Sequence, residues 1–189
     1  MTKENLKRKT PLLIVAVLAV CLVVAAALLI GPALSKQAAA ERQGILKAVM
    51  PGGSEFVQID TKSKSVKELY AAYRDETLMG YCVEVQVEGF VSPITMMVGV
   101  AHGGNVIGTH ILSHRETLNV ADKAMSSEFL NQFLGRSGTL NVGHGARDIQ
   151  AVSGATVSCK SLTEGVNAAL AAAANITKEG GASVHEPAG

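Results

Sequence analysis

The sequence predicts an α+β domain built on a largely antiparallel sheet, and three stretches carry that prediction. Tyr81-Cys82-Val83-Glu84-Val85-Gln86-Val87 alternates in the manner of a half-buried strand. Ile94–Ala101 and Val106–Leu112 are apolar runs joined by the turn signal His102-Gly103-Gly104-Asn105, which reads as a hairpin. From Ser158 to about Ala174, Leu162, Val166, Ala169, Leu170 and Ala173 form a narrow apolar stripe, the pattern of a helix lying on a sheet.

The remaining elements follow in chain order. Lys36–Met50 is rich in Ala, Gln, Glu and Lys and reads as a helix, stopped by Pro51-Gly52-Gly53. Glu55–Ile59 reads as a short strand, and Val66–Tyr73 as a short helix or turn. Asp122–Phe133 has helical spacing in Ala124, Phe129, Leu130 and Phe133, and closes at Gly135. Ser158 or Ser161 is expected to cap the last helix, because Ser161-x-x-Glu164 fits a capping box. The order helix, hairpin, helix, strand, helix completes the α+β reading, and no internal repeat is present.

The N-terminus carries an address. Pro11–Ser35 holds no charged residue, and the run Leu12–Ile30 is almost wholly Leu, Ile, Val and Ala. About 20 residues at about 1.5 Å each span roughly 30 Å, the thickness of a bilayer's hydrocarbon core. Lys3, Lys7, Arg8 and Lys9 precede it against Glu4, a cluster expected to stay cytoplasmic. The division is therefore a basic tail over residues 1–10, a transmembrane anchor over 11–34, an extracytoplasmic domain over 35–176 and a loose tail over 177–189. Ala38-Ala39-Ala40 offers small residues for signal cleavage, but a signal h-region runs about 7–15 residues and this one is longer.

Composition excludes several classes. The net charge of +1 gives no bulk attraction to nucleic acid, and no basic stripe with interleaved aromatics appears. Cys21, Cys82 and Cys159 form neither a CxxC nor a zinc spacing, which removes iron–sulfur and c-type haem sites. Cys82 and Cys159 read as buried thiols rather than as a disulfide. His110 and His114 are four apart, yet no His-Glu-x-x-His pattern accompanies them, so no metal site is expected. No catalytic acid–base pair is evident either.

Chemistry concentrates in Asp148-Ile149-Gln150-Ala151-Val152-Ser153-Gly154-Ala155-Thr156-Val157-Ser158. Ser153, Gly154 and Ala155 remove side-chain bulk ahead of a threonine, so another molecule can approach the backbone closely. A helix begins about two residues later, and its free N–H groups and positive dipole end favour a phosphate by about 0.3–1 kcal/mol. A hydroxyl, a bare loop and a helix N-terminus together suit a phosphate ester. On spacing alone, a plain turn into a helix with Thr156 as N-cap is the simpler reading.

Ser153–Thr156 with upstream Asp148 is similar to the covalent-flavin motif of the FMN-binding domain family. That family includes the G subunit of the Rnf electron-transport complex and the C subunit of the sodium-pumping NADH:quinone reductase. Other resemblances are the helix from Ala40-Glu41-Arg42 through Met50-Pro51, Gly80-Tyr81, Gly89-Phe90, Ser113-His114-Arg115-Glu116-Thr117, Asp122-Lys123 and Phe129–Phe133. Together they extend over about residues 40–172. The chain departs at Leu118-Asn119-Val120-Ala121, where the family often has Pro-Gly-Leu-Gly, at Ser92-Pro93, and at Cys159, where serine is usual.

The resemblance implies an FMN-binding domain whose motif threonine, Thr156, is esterified to the FMN phosphate by a dedicated flavin transferase. It implies Ser153, Gly154 and Ala155 as the surrounding cofactor loop, with Glu116 and Thr117 as further polar contacts. It implies an electron-carrying subunit, placed among other membrane subunits in the lipid bilayer, of a complex that couples ferredoxin and NAD to ion movement. The chain's length favours the Rnf-type subunit over its counterpart in the quinone reductase. A non-redox assembly module with a vestigial motif is the alternative of a different class, motivated by the altered 118–121 loop.

Overall fold

The computed structural model describes residues 37–61, 63, 65–117 and 123–178. The expected anchor at 11–34 and the tail beyond residue 178 lie outside them, as does the 118–121 loop. Among the described residues no helix is long and apolar enough to cross a membrane. The chain divides into two compact units, Met1–Gln43 and Gly44–Gly189. The described part of the first, residues 37–43, is helical.

A helix over residues 37–49 (α1) fulfils the first helical expectation and ends at the Pro51 turn. Five strands follow: β1 (Glu55–Ile59), β2 (Val66–Arg74), β3 (Thr77–Glu88), β4 (Pro93–Ala101) and β5 (Val106–Ser113). Each pairs antiparallel with its chain neighbour, giving one sheet in the order β1-β2-β3-β4-β5. The meander needs no crossover, so short turns suffice throughout. A short helix α2 (Ser127–Leu130) runs into a 3-10 turn (Asn131–Phe133), and the long helix α3 (Thr156–Lys178) closes the described chain.

The two faces of the sheet carry separate cores. On one face Leu69, Tyr81, Val83, Val85, Met96 and Val98 pack with Cys159, Leu162, Val166, Ala169 and Ala173 of α3. The apolar stripe predicted for that helix is therefore the one it buries. The second core gathers Leu46, Val49 and Met50 from the end of α1 with Ala72, Cys82 and Met97. Here the backbone of α1 comes very close. A β-carbon on Gly99 would lie 2.0 Å from the carbonyl oxygen of Val49, and one on Gly108 2.4 Å from the same atom. Gly99 and Gly108 are register partners on β4 and β5, so together they clear one flat patch on which the helix end rests.

Val66–Tyr73 is strand, not the expected helix or turn, and the reason is a β-bulge. Val66 pairs with Val85 and Glu68 with Glu84, which leaves Lys67 as an extra residue. The bulge puts Val66 and Leu69 on the same face despite their odd spacing, and an apolar i, i+3 pair imitates a helix. The expected helix over 122–133 is interrupted at Met125-Ser126: Lys123 and Ala124 are helical, then Ser127–Leu130 and one 3-10 turn follow. Extended Ser126 caps α2, its hydroxyl oxygen accepting from the Phe129 amide at 3.2 Å. Phe129 and Phe133 still reach the core, edge to face at 5.4 Å. After them two isolated bridges, Ser137 to Asn105 (antiparallel) and Val142 to Ile149 (parallel), stand among the described residues where a strand was expected.

The β2–β3 hairpin turns on Asp75 and Glu76, both at positive φ (47° and 64°). Two left-handed residues match the twist of a two-residue hairpin, but neither is glycine. Glu76→Gly is expected to stabilise the fold by about 0.5–1 kcal/mol, seen as a higher urea midpoint.

Candidate functional site

The Ser-Gly-Ala-Thr segment is the entry to α3. Gly154 takes φ of 81°, a conformation that suits glycine, and the Ala155 amide donates to the Val152 carbonyl at 3.0 Å to close the turn. The buried Ala155 side chain anchors the turn in the core. Its carbonyl accepts the first helical hydrogen bond, from the Cys159 amide at 2.9 Å. Thr156 is thus the first helical residue and is exposed, not the N-cap. The amides of Thr156, Val157 and Ser158 have no carbonyl one turn earlier to bond within the helix, and the positive end of the dipole is at the same place.

The helix starts two residues earlier than expected, and neither Ser158 nor Ser161 caps it. Both are buried inside the first turns. Ser161 donates back to the Val157 carbonyl at 3.2 Å, and Ser158 donates to Glu116 Oε2 at 3.1 Å. The tight turn at Gly154, not a serine side chain, sets the start.

A cleft of about 240 Å³ opens beside this helix end, lined by Phe90, Gly154, Ala155, Thr156, Val157 and Ser158. The Lys123 ammonium nitrogen lies 3.6 Å from the point a β-carbon on Gly154 would occupy. The Lys123 carbonyl accepts from the Ser126 hydroxyl at 3.0 Å, which fixes the backbone there. Sequence reasoning does not single out Phe90 or Lys123 as site residues. Their only sequence signals are the Gly89-Phe90 and Asp122-Lys123 resemblances, and both lie far from Thr156 along the chain.

Of the other expected site residues, Ser153 is exposed on the turn just before the cleft lining, and Thr117 is exposed outside that lining. Glu116 is buried, with 7% exposure, and is not a lining residue either. Its Oε1 accepts from the amides of Val91 (2.9 Å) and Ser92 (3.2 Å), while Oε2 takes the Ser158 hydroxyl. Asp148 is a loop residue, its carboxylate accepting from the Gly145 amide at 2.8 Å. His110 and His114 line a separate cleft of about 430 Å³ along β5. Cys82 and Cys159 are free and buried in the two different cores. Burial pushes the Cys82 thiol up to about 12, which keeps it protonated and unreactive at neutral pH.

Desolvation by itself raises the pKa of the Glu116 carboxyl. The amides of Val91, Ser92 and Phe90 and the Ser158 hydroxyl outweigh that effect and hold it below the ordinary glutamate value. The unfolded chain binds this proton more tightly, so the contribution to stability is present above the ordinary value of about 4.3 and is lost as pH falls through the folded one. Urea midpoints measured from pH 7 down to pH 3 are expected to fall less steeply for Glu116→Gln than for the unaltered chain.

The geometry defines a class of site: an exposed hydroxyl on the first residue of a long helix, free amides and a lysine for an anion, and an aromatic ring across a cleft. These residues fit a phosphate ester that carries a flat ring system. Residues 89–171 match the family described as FMN-binding domain, and the match encloses Phe90, Glu116, Lys123 and Thr156. Over those residues the chain is similar to an FMN-binding domain.

Similar proteins include G subunits of ion-translocating complexes. The chain is 27% identical over 129 residues to the G subunit of the proton-translocating ferredoxin:NAD(+) oxidoreductase complex of Clostridium ljungdahlii, covering 66% of this chain and 68% of that one. It is 28% identical over 127 residues to the G subunit of the Na(+)-translocating ferredoxin:NAD(+) oxidoreductase complex of Acetobacterium woodii, covering 62% of this chain and 60% of that one. It is 28% identical over 171 residues to the G subunit of the ion-translocating oxidoreductase complex of Stutzerimonas stutzeri, covering 80% and 75%. The crystal structure of NqrC from Shewanella oneidensis is a loose likeness, with a TM-score of 0.46 and 19% identity over 65% of each chain.

Proposed function

We propose that the chain is the electron-carrying G subunit of a membrane-bound, ion-translocating oxidoreductase complex of the ferredoxin:NAD type, with FMN joined through a phosphoester to Thr156. The observation that supports this most directly is the exposed hydroxyl on the first residue of α3, beside the cleft that Phe90 lines, within a segment that matches the FMN-binding domain. When bound, the flavin supplies one- and two-electron transfer. The protein's own contribution is to hold it. The helix-end amides and Lys123 offset the charge of a phosphodiester, and the short Ser153–Ala155 side chains leave room for it.

A flavin transferase activates the threonine hydroxyl. Once the ester exists, the cofactor no longer escapes to the extracytoplasmic volume. The apolar segment at 11–34 anchors the domain in the cytoplasmic membrane and keeps it beside its partner subunits. Ion movement belongs to those partners, because the segment has no charged side chain to form a path. The test is to express the chain with and without a flavin transferase, denature it in acid and determine the mass of the Thr156 peptide. A flavin adduct is expected on that residue only in the first case. An unmodified peptide from transferase-matured protein would overturn the assignment.

A further inference from the structure

We propose that Phe90 is the wall on which the isoalloxazine ring of the Thr156-linked FMN rests, and that Glu116 is the positioning residue that fixes this wall relative to the helix end. The inference rests on the flavin assignment above and adds which residues set the ring's pose.

Four large apolar side chains stand out as exposed among the described residues: Phe90 at 63%, Val91 at 59%, Val157 at 50% and Leu134. Phe90 and Val157 line the Thr156 cleft, and Val91 adjoins Phe90. Leaving a phenyl ring in water is unfavourable, and two such side chains lining one cleft with the Thr156 hydroxyl mark a surface meant to be covered. The cover must fit a cleft of about 240 Å³ that begins at Thr156. A flat aromatic ring tethered to that residue does so, and offset or edge-to-face contact with phenylalanine is the arrangement ring systems favour.

The backbone of the Phe90 loop is rigidly held, although its side chain is free. Glu116 receives two of its amides, and the Ser92 hydroxyl accepts from the Arg115 amide at 3.0 Å. The Gly89 amide donates to the Ser92 carbonyl at 3.0 Å. A β-carbon on Gly89 would lie 2.4 Å from Glu116 Oε1, so glycine alone lets the loop fold down onto the carboxylate. The other carboxylate oxygen holds Ser158, in the first turn of α3. One buried carboxylate therefore spans both walls of the cleft. A loop that only had to turn the chain would not require a buried charge, which is stable in the interior only when fully hydrogen-bonded.

The experiment uses the full chain matured with a flavin transferase and purified in detergent. Flavin content at Thr156 is read by mass, and ring pose by visible circular dichroism and iodide quenching of flavin fluorescence. An unaltered chain without flavin at Thr156 would sink the functional assignment and this inference with it, whereas the variants below bear on this inference alone. With flavin present, Phe90→Ala is expected to weaken the visible dichroism and raise the solvent-facing ring population roughly two- to tenfold, while Phe90→Tyr preserves the unaltered signature. Glu116→Ala should act like Phe90→Ala, and Glu116→Gln, which keeps an acceptor oxygen for Val91 and Ser92, should largely restore the signal. Ser158→Ala cuts only the helix side of the bridge and should give an intermediate change, which keeps the test decisive if Glu116→Ala does not fold. Flavinylated Phe90→Ala with unaltered dichroism and quenching would overturn the role of Phe90. A Ser158→Ala protein identical to the unaltered one, or Glu116→Gln as defective as Glu116→Ala, would overturn the bridge.

Discussion

Thr156→Val, matured with a flavin transferase, should run as a band with no flavin fluorescence after acid denaturation, and complexes containing it should lose electron transfer altogether. The substitution keeps a β-branched side chain of the same shape and replaces only the hydroxyl by a methyl group. Thr156 is exposed at the first position of α3, so the change in stability is expected to stay within about 0.5 kcal/mol. Fold and chemistry are separated for this reason: far-ultraviolet circular dichroism and the urea midpoint should match the unaltered chain while the flavin is absent. Thr156→Ser, which restores the oxygen, should recover fluorescence. A fluorescent Thr156→Val band would mean that the ester sits elsewhere.

Gly99→Val should have the largest effect on stability, a loss of about 3 kcal/mol or more, read from the denaturant midpoint of the purified chain. A β-carbon there would meet the Val49 carbonyl at 2.0 Å, and a backbone atom inside a helix end cannot move aside as a flexible side chain can. The whole contact of Leu46, Val49 and Met50 with Ala72, Cys82 and Met97 depends on that approach. Gly108→Val, across the ladder, should act in the same direction through the same carbonyl. Gly104→Ala is the control. Its φ of 81° strains alanine, but no atom lies within 4 Å, so only about 1 kcal/mol of conformational cost is expected. Equal losses at Gly99 and Gly104 would show that the α1–sheet contact is not what the glycine pair protects.

The strands β3 to β5 are legible because Tyr81–Val87 alternates with period 2 and two apolar runs flank a Gly-Gly turn that sets their pairing. The stripe of α3 was legible because residues three and four apart share a helix face. Strand β2 was not, because the bulge at Lys67 shifts the phase of its apolar residues and gives them helical spacing. The start of α3 at Thr156 is not legible, because Ser161 followed by Glu164 imitates a cap. In the folded protein Ser158 is turned inward to Glu116, a partner that no local pattern reveals.

What the sequence by itself determined is the antiparallel α+β domain, the apolar N-terminal stretch and the threonine behind a small-residue turn, since each is written in contiguous residues. The tertiary structure alone decided which distant groups meet that threonine: Phe90 across the cleft, Lys123 beside Gly154, and Glu116 as a buried bridge between the cleft walls and not a cleft-lining residue. Such meetings arise because the β3–β4 connection and the loop after β5 reach the end of α3 once the sheet and helix bury their shared core. Hydrophobic burial sets that packing through many weak contacts spread along the chain, so the juxtaposition it creates has no local signature to read.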